Sequence, residues 1–305
     1  MNKAGVIDRK TKIAIQCYLM LLLPIIGFCV FTIYPVAWTF RWSLYSYSGI
    51  PSQARFIGFD NFKTILTEDF TYWKMWLNTL IYGIYKIPIE MIIAMLAALF
   101  LNKKIKGKGG FRAIYFLPNV ISVAIIGLIF SNMFSPFGIV NSMLEKMGII
   151  AEPINWFSTK ARAMSVLVIA SIWNTFGINV MYFLAALSNV SEDIYEAAEI
   201  DGAGKITTFF KITIPLITPV MQTIFLLSLI GTLGVNDIIL VLTGGAPGGE
   251  TFSVMSYVTR KFVPGFATDT VLPLGYGCAM SLMTTIILTS VALIYNKLSS
   301  RLKNI

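Results

Sequence analysis

Long uncharged apolar runs constrain this chain more than any other feature. No Asp, Glu, Lys or Arg occurs from Ile13 to Val36, from Ala113 to Phe134, from Ala163 to Leu187, from Ile212 to Asn236 or from Thr270 to Asn296. Crossing a bilayer takes roughly 20 apolar residues at 1.5 Å rise. In hydrocarbon every backbone polar group must be satisfied within the segment, so such runs fold as helices. A sixth run, 75–101, holds only Lys86 and Glu90. Charged residues make up 13% of the 305 residues and hydrophobic ones 56%. A soluble domain carries about 25% charge, so these apolar residues exceed what one globular core would hold.

The reading is an all-α polytopic membrane protein with six transmembrane helices at roughly 13–38, 75–101, 112–134, 163–187, 216–242 and 270–296. The segments between them are too short for a separate soluble domain, so residues 1–305 read as one domain. The first run resembles a signal peptide behind Lys3, Arg9, Lys10 and Lys12. It is longer than a secretory core of about 7–15 residues, and no A-x-A site follows, so it reads as an uncleaved span.

The formal net charge of +9 belongs to the loops. One side of the membrane collects Lys3, Arg9, Lys10 and Lys12, then Lys103, Lys104, Lys106, Lys108 and Arg112, then Lys205 and Lys211, then Lys297, Arg301 and Lys303. The other side has nine basic residues spread over longer loops. Positive residues mark the cytoplasmic side, so both termini are expected there and nucleic acid is not the expected partner. Cys17, Cys29 and Cys278 form no CxxC and the chain has no histidine. Neither a disulfide framework, a metal site nor a histidine-based triad is supported.

The outer loops are rich in aromatic, Gly and Pro residues. Trp38, Trp42, Tyr45, Tyr72, Trp73 and Trp76 fall where spans meet water, as interfacial anchors do. Thr243–Pro247 with Gly248 and Gly249 predicts a sharp turn after the fifth span.

The loop between spans four and five, 188–215, is the informative one. On a helix, Glu192, Glu196 and Glu199 share one face, with Ile194, Ala197, Ala198 and Asp201 opposite. Asn189 or Ser191 suits the start as a cap, and the acids of the first turn suit the helix dipole. Gly202 stands where a left-handed cap favours glycine, and a second helical stretch from about Lys205 leads into Pro215. The outcome is a short acidic helix, a tight bend and a helix feeding the next span.

The spacing Glu196-Ala197-Ala198-x3-Gly202-x9-Ile212-x-Ile214-Pro215 resembles the EAA loop of binding-protein-dependent ABC importer permeases, with Ile214 where leucine is usual. Tyr195, Phe209 and Pro219, together with Phe56-Ile-Gly-Phe-Asp-Asn-Phe62, Asn78-Thr79-Leu80, Phe111-Arg112, Phe116-Leu-Pro118, Gly138 with Asn141, and Thr243-Gly-Gly-Ala-Pro247, extend the resemblance to the carbohydrate-uptake branch. That branch includes the larger maltose permease and a glycerol-phosphate permease. The resemblance implies the type I importer permease fold in a prokaryotic inner or plasma membrane. It also implies that Glu196, Ala197, Ala198, Asp201, Gly202, Ile212 and Pro215 form the contact with an ATPase. The expected partners are a second homologous permease, a dimer of ABC ATPase that holds ATP and Mg, and an extracellular solute-binding protein. The cargo it implies is a sugar or oligosaccharide, with a glycerophosphate as the alternative.

No cofactor is expected on this chain itself. Gly202-Ala-Gly-Lys205 lacks a Walker A pattern, because Glu199 and Ile206 occupy the first glycine and hydroxyl positions. The chain therefore reads as a transporter subunit rather than an enzyme. A self-sufficient secondary transporter would show inverted repeats, and none is seen. Polar groups within spans face a bundle interior or cavity. Lys86 and Glu90, four apart, can pair. Trp173, Asn179, Tyr182, Asn236 and Asp237 are candidates for a sugar cavity, with interhelical hydrogen bonding an equally simple account of each.

Overall fold

The computed structural model describes residues 9–103, 106–263 and 273–302. Lys3, Lys104 and Lys303, and the first residues of the span expected at 270–296, lie outside them. In chain order the helices are α1 (Arg9–Phe28), which passes through a π-helical turn at Cys29–Ile33 into α2 (Tyr34–Ser43), then α3 (Asp60–Thr67), α4 (Phe70–Asn102), α5 (Lys108–Val120), α6 (Val123–Met133), α7 (Ile139–Lys146), α8 (Lys160–Ser188), α9 (Glu192–Ile200), α10 (Lys205–Thr208), α11 (Ile214–Leu233), α12 (Asp237–Leu242), α13 (Val254–Thr259) and α14 (Leu274–Leu302). A second π-helical turn, Phe209–Thr213, joins α10 to α11. Among the described residues, five stretches are long and apolar enough to cross a membrane: Arg9–Ser43, Phe70–Asn102, Lys160–Ser188, Lys205–Leu233 and Leu274–Ser300.

The third expected span is not one straight helix. α5 and α6 meet at a bend of 94° and make a sixth crossing only as a broken pair. Ile121 is extended there, with ψ 137°, which leaves the last carbonyls of α5 without helical partners. Asn174 of α8 donates its side-chain amide to the Pro118 carbonyl at 2.9 Å, supplying one of them. The fifth expected span, 216–242, is likewise interrupted, because α11 ends at Leu233 and α12 begins at Asp237. Non-helical backbone at such a depth is tolerated where protein or a water-filled cavity lines it.

Contacts divide the chain into two compact units, Met1–Glu68 with Lys261–Met283, and Asp69–Arg260 with Thr284–Ile305. In the first unit a two-stranded antiparallel ribbon pairs Tyr45 with Phe56 and Ser46 with Arg55. Asn61 ties it down by donating to the carbonyls of Ser43 (2.8 Å) and Tyr45 (3.2 Å). Trp42 stacks on Tyr47 with ring centroids 3.8 Å apart.

The second unit is built on α4, α8 and α11. Ala94, Ala98 and Leu101 of α4 pack with Val180, Phe183, Leu184 and Leu187 of α8 and with Ile217 and Ile224 of α11. Lipid is as apolar as these side chains, so close packing through small residues, more than hydrophobicity, holds the helices together. At Gly177 of α8 the closeness is absolute: a Cβ there would overlap the carbonyl of Tyr115 in α5. Outward-facing positions of α4 such as Ile84, Ile92 and Leu96 remain exposed and apolar.

Two of the expected interfacial anchors are core residues in this unit. Tyr72 is fully buried, with its hydroxyl 3.0 Å from Thr284 Oγ1, and Trp76 is buried. Trp42, in the first unit, is buried too. Their position at a span end is a one-dimensional feature, whereas burial depends on which face of the helix they occupy. Trp38 and Trp73 do remain exposed.

Candidate functional site

Two places collect the candidate residues, and each lies within the second unit. The first is α9 and its turn. Ser191 caps the helix, its Oγ accepting from the Asp193 amide at 3.3 Å, and Glu192 and Asp193 occupy the first turn. At the far end Gly202 has φ +76°. The Gly202 amide donates to the Glu199 carbonyl (3.1 Å) and the Ala203 amide to the Ala198 carbonyl (2.9 Å). That pair of bonds is a Schellman closure, which needs a left-handed residue where glycine alone has no Cβ penalty.

α9 is held to the following helix through Tyr195, whose hydroxyl lies 3.4 Å from Thr213 Oγ1. Only Ala198 of the motif is buried; Glu196, Ala197, Asp201, Gly202 and Pro215 are exposed and Ile212 is half-buried. The face expected opposite the acids is thus mostly open, because the helix rests on Ala198 and Tyr195 rather than on a broad stripe. Glu192, Glu196 and Glu199 line a cleft of about 500 Å³ with Tyr195, Ser188 and Asn102. Nearby Ile200 and Ile206 are also exposed, so the open surface is acidic with apolar points.

The second place is a cavity of about 400 Å³ between α4, α8 and the break from α11 to α12, with polar side chains set in a largely apolar wall. Small-molecule sites occupy about 300–1,000 Å³. Its α8 wall follows the helical repeat: Ser171, Asn174, Thr175, Ile178, Asn179 and Tyr182. Of the five candidates, Asn179, Tyr182, Asn236 and Asp237 line it. Trp173 does not; it lies off that face and packs on Phe130, ring centroids 5.7 Å apart. A one-residue step turns a helical side chain by about 100°, enough to take Trp173 off the wall that Asn174 occupies.

At the cavity wall Lys86 Nζ donates to Glu90 Oε2 at 2.7 Å and to Thr232 Oγ1 at 3.3 Å. Glu90 Oε1 accepts from Thr175 Oγ1 (2.6 Å) and Asn179 Nδ2 (2.8 Å). One fully buried carboxylate thus joins α4 to α8, and its lysine reaches α11. Asn179 is therefore both a wall residue and a partner of Glu90. Asn236 donates to Asp237 Oδ1 at 2.9 Å, while Asn236 Oδ1 and Ser228 Oγ are buried without a hydrogen-bond partner among the described residues. Thr175, Ser228 and Thr232 were missed by sequence reasoning, since a Ser or Thr within a span is common and only its facing side tells it apart.

Past the cavity, the Gly/Pro turn is fastened to α4. Asn78 Nδ2 donates to the carbonyls of Glu250 (2.7 Å) and Phe252 (3.0 Å), and Thr79 Oγ1 accepts from the Val254 amide at 3.0 Å. Thr251 Oγ1 closes the turn on the Ala246 carbonyl at 2.8 Å. Asn141 does similar work in the 135–156 loop, donating to the Ile154 carbonyl at 2.8 Å and accepting from Trp156 Nε1 at 3.0 Å.

Residues 90–304, from the buried carboxylate onward, match the family model described as binding-protein-dependent transport system inner membrane component. The chain belongs to this family. Among curated relatives, the trehalose/maltose transport system permease protein MalF of Thermococcus litoralis is 33% identical over 92% of both chains. The lactose transport system permease protein LacF of Rhizobium radiobacter is 36% identical over 78% of this chain and 81% of its own. Among solved structures, the bacterial alginate ABC transporter in complex with alginate pentasaccharide-bound periplasmic protein has a chain that superposes with a TM-score of 0.80 at 24% identity, covering 96% of this chain and 97% of that one. At that identity the likeness bears on the fold, which is the all-α importer-permease fold. The family membership makes the chain a multi-pass membrane permease subunit of an ABC importer and not an enzyme.

Proposed function

We propose that this permease carries a saccharide through one half of an ATP-driven import path and is driven through α9. A second, homologous permease would supply the other half, an external binding protein would deliver the cargo, and two ATPase copies holding ATP and Mg would dock on the cytoplasmic side. Both termini are assigned to the cytoplasm, following the basic loops. The cargo class follows the trehalose/maltose and lactose relatives. Unpartnered polar atoms at Asn236 and Ser228 suit a hydroxylated cargo or its water.

The observation that carries the drive reading is the geometry of α9. Its two ends are capped, it is tied by Tyr195 to the helix leading into α11, and it presents Glu196 on open surface. A rigid acidic lever on a transmembrane helix is what a pushing basic partner needs. Glu196→Ala and Gly202→Asp are expected to leave the importer assembled in the membrane while ATP-driven uptake is lost. Uptake at the normal rate in both variants would overturn the reading.

A further inference from the structure

Among the described residues, the cavity is lined by one basic and two acidic side chains, Lys86, Glu90 and Asp237. Lys86 and Glu90 are four residues apart on α4, 2.7 Å from each other, and almost wholly buried. Thr175 and Asn179 supply two further hydrogen bonds to the carboxylate, so its charge is answered from inside the protein. Asp237 is different. It is exposed, sits in the first turn of α12, and among the described residues its side-chain hydrogen-bond partner is the neutral amide of Asn236.

We propose that the Lys86–Glu90 pair is a specificity-determining element that cancels its own charge and leaves Asp237 as the one surplus charge, so that this half of the path passes neutral saccharides and resists anionic ones. The cargo part rests on the saccharide reading above; the charge part stands by itself. Discrimination between solutes needs a repulsive element as much as an attractive one. In a wall of low dielectric, one uncancelled carboxylate repels a phosphate or uronate far more than it would in water. Were Lys86 unpaired, its ammonium would offset the charge of Asp237 and remove that preference. The role of Glu90 is to hold that ammonium neutralised at the wall while Thr232 holds its direction.

The field can be read without transport. In the complete importer, with Cys17, Cys29 and Cys278 of this chain replaced by alanine, Gly231→Cys places a reporter thiol at the cavity wall, where an added Cβ meets open space. Its modification by a cationic trimethylammonium and an anionic sulfonate methanethiosulfonate is followed by the mass of this chain. The cationic reagent is expected to react faster relative to free cysteine. Asp237→Asn and Glu90→Gln should each lower the cation-to-anion rate ratio by about threefold or more, and Lys86→Met should raise it as much. Lys86→Met with Glu90→Gln should return the ratio to the parent value. If Glu90→Gln fails to assemble, the double variant and Asp237→Asn still decide. A parent ratio favouring the anion, or one that Asp237→Asn or Lys86→Met leaves unchanged, overturns the charge assignment. With the expected ratios in hand, uptake of a uronate-bearing disaccharide matching that of its neutral counterpart in the complete importer overturns the selectivity. Absence of any saccharide uptake would instead count against the saccharide reading.

Discussion

Asn78 of α4 donates its side-chain amide to the backbone carbonyl of Phe252 at 3.0 Å, across 174 residues of chain. The same amide donates to the Glu250 carbonyl, so one asparagine fastens the Gly/Pro turn that follows α12. Two motifs that are separate in sequence, Asn78-Thr79 and the turn begun by Thr243, are one structure. Each buried carbonyl left unpaired costs about 1–3 kcal/mol. Asn78→Ala is therefore expected to destabilise by about 2–4 kcal/mol, measured as a lower Tm in detergent or nanodiscs.

Removing one member of the Lys86–Glu90 pair should be worse than removing both. A buried partner left uncompensated costs about 3–5 kcal/mol, whereas a neutral replacement of the pair is often harmless. Glu90→Gln is expected to lower Tm clearly, and Lys86→Met with Glu90→Gln to recover most of the loss. Equal Tm values for the single and the double variant would contradict the coupling.

Gly177 and Gly202 should fail for different reasons. Gly177→Ala forces α8 away from the Tyr115 carbonyl, an overpacking cost of about 1–3 kcal/mol that lowers Tm. Gly202→Ala has open space but a left-handed backbone, a cost of about 1–2 kcal/mol confined to the end of α9. Its expected signature is weaker ATP-driven uptake at nearly unchanged Tm, with Gly202→Asn milder than Gly202→Ala.

Trp173 and Tyr182 separate packing from passage. Trp173→Ala should lower Tm through lost contact with Phe130 while cargo preference stays as it was. Tyr182→Ala, at the cavity wall, should change the uptake rate or the preference among saccharides at little cost in Tm. Reversed outcomes would move the cavity to the other face of α8.

The sequence by itself determined what acts over short range. Apolar runs with no charge require helices in lipid. Gly202 marks the far end of α9, and Asn189 or Ser191 its start, because each cap is formed within about five residues. Lys86 and Glu90 pair because four residues return a helix to the same face. The shape of α9 was legible from its own residues. The tertiary structure alone decided the rest. The 94° bend between α5 and α6 is accommodated by Asn174, more than fifty residues away. The cavity exists because α4, α8 and the α11–α12 break meet, and their relative rotation puts Tyr182 on the wall and Trp173 off it. In a chain where nearly every helical face is apolar, hydrophobic pattern no longer distinguishes inside from outside. Only packing through small residues and a few polar contacts does.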